Sequence, residues 1–234
     1  MTAGLVGRSK AKFIHKMFHD ASGEYDATST AIALKMDGKW RDFASSLVNG
    51  TGGRVLDICC GTGELSWRLA SENNKHIIAM DFCNAMVEVA RKKKGSQGVD
   101  FGVGDIEKLP LKDETFSYVT VAFALRNVSS IEKSILEMRR VLKKGGKIII
   151  LDLGKPKSRF FKKIYYIYFY KVAPVIGKIL SKNGSYAYTY LPNSLTNFPA
   201  QDGIKKMLEE LEFKKITVHN LTKGIVAVHE GTKS

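Results

Sequence analysis

Between residues 54 and 153 the chain alternates short apolar runs with longer stretches whose apolar positions recur every three or four residues. The runs at 54–58, 76–80, 99–103, 116–123 and 146–153 predict strands, the last of them apolar almost throughout, as strands covered on both faces are. Helices are predicted between them, from residue 64 to about 70, over 84–94 and over 131–142. The last carries Ile131, Ile135, Met138 and Leu142 on one face. Lys143, Lys144, Gly145 and Gly146 then read as its stop, basic groups against the helix dipole and glycine to end the turn. Strand and helix in this order predict βαβ units in an α/β fold, a doubly wound, mostly parallel sheet of about seven strands. A helix near 202–211 and strands at 214–220 and 224–230 complete the chain. Their short connection makes a hairpin, so the last strand should run antiparallel.

Two stretches fall outside the alternation. Near the N-terminus Phe13, Ile14, Met17 and Phe18 have helical spacing, turn residues follow over 18–26, and a longer helix is predicted through Trp40 and Leu47. Over 158–191 the chain crowds Phe160, Phe161, Tyr165, Tyr166, Tyr168, Phe169 and Tyr170 among Arg159, Lys162, Lys163 and Lys171, with Lys155 and Lys157 just ahead of them. That stretch is too short and too interrupted by charge to span a bilayer. It reads either as a helix covering the sheet edge or as a lid over an apolar substrate that also touches a membrane surface. We therefore expect one domain over 1–234, with 1–50 as a helical cap and 158–192 as the lid insertion.

Composition narrows the setting. A chain of 234 residues with 44% hydrophobic content can bury a substantial core. Its 37 basic and 23 acidic residues give a net charge of +14 and a pI near 9.6, which points to an anionic partner. The basic residues are spread over several helices without a nucleic-acid module, so an anionic membrane surface is the expected partner and nucleic acid is not. Cys59, Cys60 and Cys83 have neither zinc-ligand nor disulfide-framework spacing and read as small buried residues of a reducing compartment. Basic residues at the N-terminus are followed by no apolar core of signal-peptide length. The expected location is cytoplasmic and peripheral to the membrane.

The candidate chemistry begins at the first strand. Gly61 and Gly63 open a tight turn between that strand and a helix, where a ligand can approach the backbone and meet free N–H groups. The second strand ends in Asp81, at roughly the 20-residue offset where dinucleotide folds place the acid that holds ribose hydroxyls. The third glycine of the dinucleotide fingerprint is missing, with Ser66 and Trp67 in its neighbourhood, so a nucleoside without phosphates suits the loop better.

On these residues the chain resembles a known family. Residues 57–63, Asp-Ile-Cys-Cys-Gly-Thr-Gly, and 79–82, Ala-Met-Asp-Phe, resemble the first two motifs of class I S-adenosylmethionine (SAM) dependent methyltransferases. Residues 104–110, 123–128 (Phe-Ala-Leu-Arg-Asn-Val), 138–146 and 221–229 are similar to the UbiE/MenG family of ubiquinone and menaquinone C-methyltransferases. The resemblance implies SAM as cofactor, bound by Asp57, Gly61, Thr62, Gly63, Asp81, Phe82, Met86, Asp105, Ile106 and Ala122. It implies an isoprenoid quinol as substrate, Arg126, Asn127 and Tyr25 as catalytic groups, no metal, and admits a homodimer. The N-terminal region would cover cofactor and substrate.

The sulfonium methyl of SAM is already activated, so the protein need only align it and exclude water. Transfer to a ring carbon requires a neighbouring phenolic hydroxyl to lose its proton. A guanidinium beside that oxygen would stabilise the phenolate, and an amide or tyrosine could orient it. An arginine stays protonated at ordinary pH and cannot be the base, and no histidine is nominated by its position. One departure stands out. The family carries Gly-x-His-Arg before the tryptophan, whereas here Lys35, Met36, Asp37 and Gly38 precede Lys39 and Trp40. Two other readings remain open at this point: a SAM-dependent methyltransferase of the same fold acting on RNA or another small molecule, and a non-catalytic SAM-binding regulator.

Overall fold

Strand β1 (Val55–Ile58) is buried at all four positions, and the layers on its two faces explain its composition. The computed structural model describes residues 7–49, 53–73, 76–93, 98–180 and 185–234. Around β1 lie β2 (Ile77–Asp81), β3 (Val99–Val103), β4 (Phe116–Ala122), β5 (Leu142–Leu153), β6 (Phe213–Leu221) and β7 (Val226–Lys233). They form one seven-stranded sheet in the order β3-β2-β1-β4-β5-β7-β6. Val55 is opposite Ile77 of β2 and Tyr118 of β4, both parallel. β7 runs antiparallel to β5 and β6 and is the one reversed strand, as the hairpin predicted. The strand order reverses between β1 and β4, and in such sheets ligands bind at the carboxyl ends of the strands beside that switch.

Period-two alternation assigns the core. Leu56, Ile58, Val119, Val121, Ile148 and Ile150 face one side, against α6 (Ile131–Val141) and α10 (Ala200–Glu210). Val55, Ile77, Tyr118, Ile149 and Leu151 face the other, against α3 (Asp37–Ser46) and α4 (Glu64–Asn73). On the N-terminal side, α1 (Gly7–Ala21) and α2 (Tyr25–Ile32) lie over the ends of the strands, and α5 (Asn84–Lys92) follows β2.

Four expectations need correction. The single helix through Trp40 is two, α2 and α3, parted at 33–36 where Leu34 and Lys35 adopt φ of 51° and 59°. The helix at 131–142 stops at Val141, and Leu142 already pairs with Phe116 in β5. Lys143 to Gly146 is therefore not a helix stop but an irregularity in the strand, with a register shift before Tyr118 meets Lys147. Gly145 there has φ of 74°. The aromatic insertion is not one helix: α7 (Arg159–Ile167), a π turn (Tyr168–Val172), α8 (Ala173–Leu180) and α9 (Ser185–Thr196) succeed one another. Finally, Cys59 and Cys60 are partly exposed, and only Cys83 is buried. Lys94, the predicted end of α5, and residues 1–6 and 50 of the cap and 181–184 of the insertion lie outside the described residues.

Candidate active site

The turn after β1 is built from left-handed residues: Cys59 at φ 56°, Gly61 at 55° and Gly63 at 83°. At Gly63 a side chain would also meet the rings of Trp67 and Phe101 at 3.0–3.2 Å, so only glycine lets the chain pass into α4. The turn is tied to β2 twice. Cys60 N donates to the Met80 carbonyl at 3.0 Å, and Gly61 N donates to Asp81 Oδ2 at 2.9 Å. The other Asp81 oxygen accepts Cys83 N at 2.8 Å. Burial pushes the Asp81 carboxyl up, and these backbone donors oppose it. Each oxygen retains lone-pair capacity for a further donor.

Asp81 opens onto a narrow cleft of about 90 Å³ at the carboxyl ends of the strands. Gly61, Phe82, Met86, Asp105, Ile106 and Ala122 line it, all expected around SAM. The other three expected cofactor residues, Asp57, Thr62 and Gly63, are not in its wall but behind it. Asp57 shares a strand face with Val55, pointing toward α4, where it accepts hydroxyl bonds from Ser66 at 2.6 Å and Thr120 at 2.8 Å. Thr62 donates to Asp26 of α2, and Asp26 also pairs with Lys93, which pairs in turn with Glu64. Asp26 thus clasps the glycine turn from the cap, a role that sequence reasoning missed.

Asp57 is fully buried, and burial, outweighing its two hydroxyl bonds, pushes its carboxyl up to about 6. An acid whose folded pKa exceeds its unfolded value binds its proton more tightly in the native state. Its contribution to stability is therefore greatest below about pH 4 and is lost as the pH rises through 6. In Asp57→Asn the amide oxygen can still accept from one hydroxyl while the other turns to accept from the amide NH2. Urea unfolding should show the variant gaining on the parent by on the order of 3 kcal/mol between pH 4 and pH 7. A gap that does not change with pH would contradict the burial account.

A second cavity, of about 300 Å³ and mostly apolar walls, adjoins the first. Phe18, Tyr25, Phe123 and Asn127 line both. Phe123, at the end of β4, holds φ of 57°, a strained conformation for a bulky residue. Arg126 lines only the large cavity. Its Nη1 donates to the Phe123 carbonyl at 2.6 Å and to Asp152 Oδ1 at 2.7 Å, in an ion pair whose side chains are 9% and 3% exposed. Arg126 Nε and Asp152 Oδ2 are buried without a hydrogen-bond partner among the described residues. Asp152 was not anticipated, although a lone acid closing an apolar strand is the same signal that nominated Asp81. On the cap side, Lys10 of α1 donates to the Val128 carbonyl and holds that helix over the turn bearing Arg126 and Asn127.

These residues fit SAM. Asp81 can take the ribose hydroxyls, Phe82, Met86 and Ile106 offer apolar walls for the adenine, and the backbone of the turn can be approached closely at Gly61. The cleft is smaller than the roughly 300 Å³ of ordinary ligand pockets, and Ala11, Ile14 and Phe18 of α1 press on it.

The chain is similar to proteins of known family and to solved structures. The chain is 36% identical over 231 residues to the ubiquinone/menaquinone biosynthesis C-methyltransferase UbiE of Geotalea daltonii, covering 96% of this chain and 97% of that protein. It is 38% identical over 232 residues to the protein of the same name from Pseudomonas entomophila, covering 96% and 90%. Among solved structures, a SAM-dependent methyltransferase of Thermotoga maritima, a possible histamine N-methyltransferase, superposes with a TM-score of 0.67 at 23% identity, over 94% of this chain and 99% of that one. Phosphoethanolamine N-methyltransferase 2 of Haemonchus contortus, solved with S-adenosyl-L-methionine, gives 0.56 at 19% identity over 79% and 49%. These two share the fold. The ubiE/COQ5 methyltransferase family model matches residues 6–233, and the chain, alike in its motifs and in nearly its full length, belongs to that family.

Proposed function

We propose that this methyltransferase moves the methyl group of SAM to a ring carbon of an isoprenoid quinol, with Arg126, Asn127 and Tyr25 around the reacting ring. The observation that carries this reading is the meeting of two unlike cavities at Tyr25, Phe123 and Asn127, one closed by a strand-end acid and the other apolar with a guanidinium in its wall. The bound cofactor supplies an electrophilic methyl on a cationic sulfur. Aligning it with the ring carbon can contribute roughly 7 to 11 kcal/mol. Arg126 stabilises the oxygen that loses its proton, and the buried Asp152 fixes the plane of that guanidinium. Tyr25 and Asn127, one on α2 and one after β4, orient the ring. Phe18 and Phe123 keep water from the junction. The ring carbon gains the methyl and loses its own proton, so each turnover releases one proton. Transfer of labelled methyl into an organic-soluble product tests the reaction, and label recovered in RNA instead would contradict it.

The aromatic insertion supports a membrane-delivered acceptor. No helix among the described residues is long and apolar enough to cross a bilayer. Yet Phe160, Ile167, Val175 and Ile179 are exposed on α7 and α8 beside Lys162, Lys163 and Lys171, while Phe161, Ile164, Tyr165, Tyr168 and Phe169 of the same segment line the large cavity. Apolar side chains facing outward among basic groups suit an anionic lipid surface. Each basic group contributes about 1 kcal/mol there and is screened by salt. The protein should sediment with anionic vesicles at low salt, be released at high salt and bind neutral vesicles far less. Replacing Lys162, Lys163 and Lys171 together with glutamine should weaken vesicle binding and activity on long-tailed quinols, yet spare a short-tailed analogue. Equal loss on both substrates would reduce the insertion to a cover for the core.

A further inference from the structure

The departure from the family before Trp40 falls in the wall of the large cavity. Asp37 and Arg41, one turn apart on α3, both line it. Arg41 Nη1 donates to Asp37 Oδ2 at 2.8 Å, with side chains 10% and 15% exposed. Thr30 of α2 donates to the same oxygen at 3.1 Å and fixes the carboxylate. Trp40, between them, donates to Thr222 Oγ1 at 2.8 Å and anchors the helix against the β6–β7 turn. Among the described residues, Asp37, Arg41 and Arg126 are the charged groups in the wall of this cavity. Both guanidinium groups bear on Phe123. Arg41 Cζ lies 5.1 Å from the centre of its ring, and Arg126 bonds its carbonyl. Asp37 takes one of Arg41's five N–H donors.

A buried ion pair is a weak device for stability, and sparse polar groups in an apolar pocket fix a ligand's orientation. We propose that Arg41, braced by Asp37, is a specificity-determining residue: it grips the ring oxygen across from the one that Arg126 faces and thereby sets the preference for a quinol over a monophenol. This rests on the reading given above, because it takes Arg126 to hold the first oxygen. Both guanidinium groups line the one cavity beside Phe123, so a ring carrying two oxygens on opposite edges can offer an acceptor to each. A ring with one oxygen leaves the donors of Arg41 unmatched, and sites built to bond a hydroxyl reject analogues that lack it.

The test uses the full chain, SAM and two short-tailed acceptors, a 1,4-diol and its analogue that keeps the hydroxyl beside the reacting carbon and lacks the one across the ring. The wild-type protein should favour the diol in kcat/KM by about tenfold or more. In Arg41→Met this preference should collapse to within about twofold through loss of rate on the diol, with the rate on the monophenol and the calorimetric affinity for SAM nearly unchanged. Arg41→Lys, which keeps the charge and loses the planar fork, serves if the methionine variant does not fold, and should show the same collapse in part. Equal loss on both acceptors, or an undiminished preference, would assign Arg41 to bracing α3 and overturn the proposal. A wild-type protein that methylates both acceptors equally well would also overturn it while leaving the quinol reading intact. Methylation of neither acceptor would sink the quinol reading itself.

Discussion

Arg126→Lys is expected to lower kcat by about a hundredfold or more while leaving the affinity for SAM within about twofold. The guanidinium is held by two acceptors on one nitrogen, the Phe123 carbonyl and Asp152 Oδ1, and its plane is thereby fixed before the acceptor ring arrives. Removing one preorganised donor from a site of developing negative charge typically costs 10²–10³ in turnover, about 3 to 4 kcal/mol. Lysine is the informative replacement. It keeps a cation opposite the buried Asp152, whereas a neutral residue would strand that carboxylate at a cost of about 3 to 5 kcal/mol and confuse folding with catalysis. A compact ammonium cannot reproduce the planar fork, so binding should persist and turnover should go. Loss of SAM binding together with turnover, or loss of neither, would make Arg126 a structural residue.

Asp81→Ala should weaken SAM binding by about a hundredfold or more, because two bonds from a carboxylate to ribose hydroxyls are worth about 1.5 to 3 kcal/mol each. Asp81 also receives Gly61 N and Cys83 N, so the variant loosens the glycine turn as well as removing the ribose contact. Asp81→Asn separates these effects. It keeps one oxygen for a backbone donor and should bind SAM better than the alanine variant and worse than the parent. Calorimetric titration of either folded variant showing near-normal affinity would remove Asp81 from the cofactor site.

What could be read from the sequence depended on how local the cause was. Strands β1, β2, β4 and β5 were legible because a parallel sheet covered on both faces needs largely apolar runs, and the edge strand β3 because Val99, Phe101 and Val103 alternate with Asp100 and Gly102. Asp81 was legible because an acid closing such a run after a glycine turn has a fixed spacing. The same alternation places Asp57 on the face of Val55, toward Ser66, so its motif position overstated its part in the cleft. Asp26 and Lys10 act through contacts with Thr62 and Val128, 36 and 118 residues away, which no local pattern reveals. The break between α2 and α3 has neither glycine nor proline at 33–36 to announce it, and Asp37 closes it by accepting from Thr30 across the gap. In the insertion, aromatic content was plain but segmentation was not. The Tyr168 hydroxyl donates to the Ile32 carbonyl and the Tyr165 hydroxyl to that of Gly154, so tertiary bonds set the course of those helices.

The central claim is methyl transfer to a ring carbon of an isoprenoid quinol. Incubating the protein with methyl-labelled SAM and a lipid extract from cells that lack quinone methylation, then identifying the labelled lipid, tests it most directly. The predicted result is one labelled species, an isoprenoid quinol whose added methyl is bonded to ring carbon, formed by the parent and nearly abolished in Arg126→Lys. A label found on oxygen, in a lipid without a quinol ring, or in no lipid at all would contradict it.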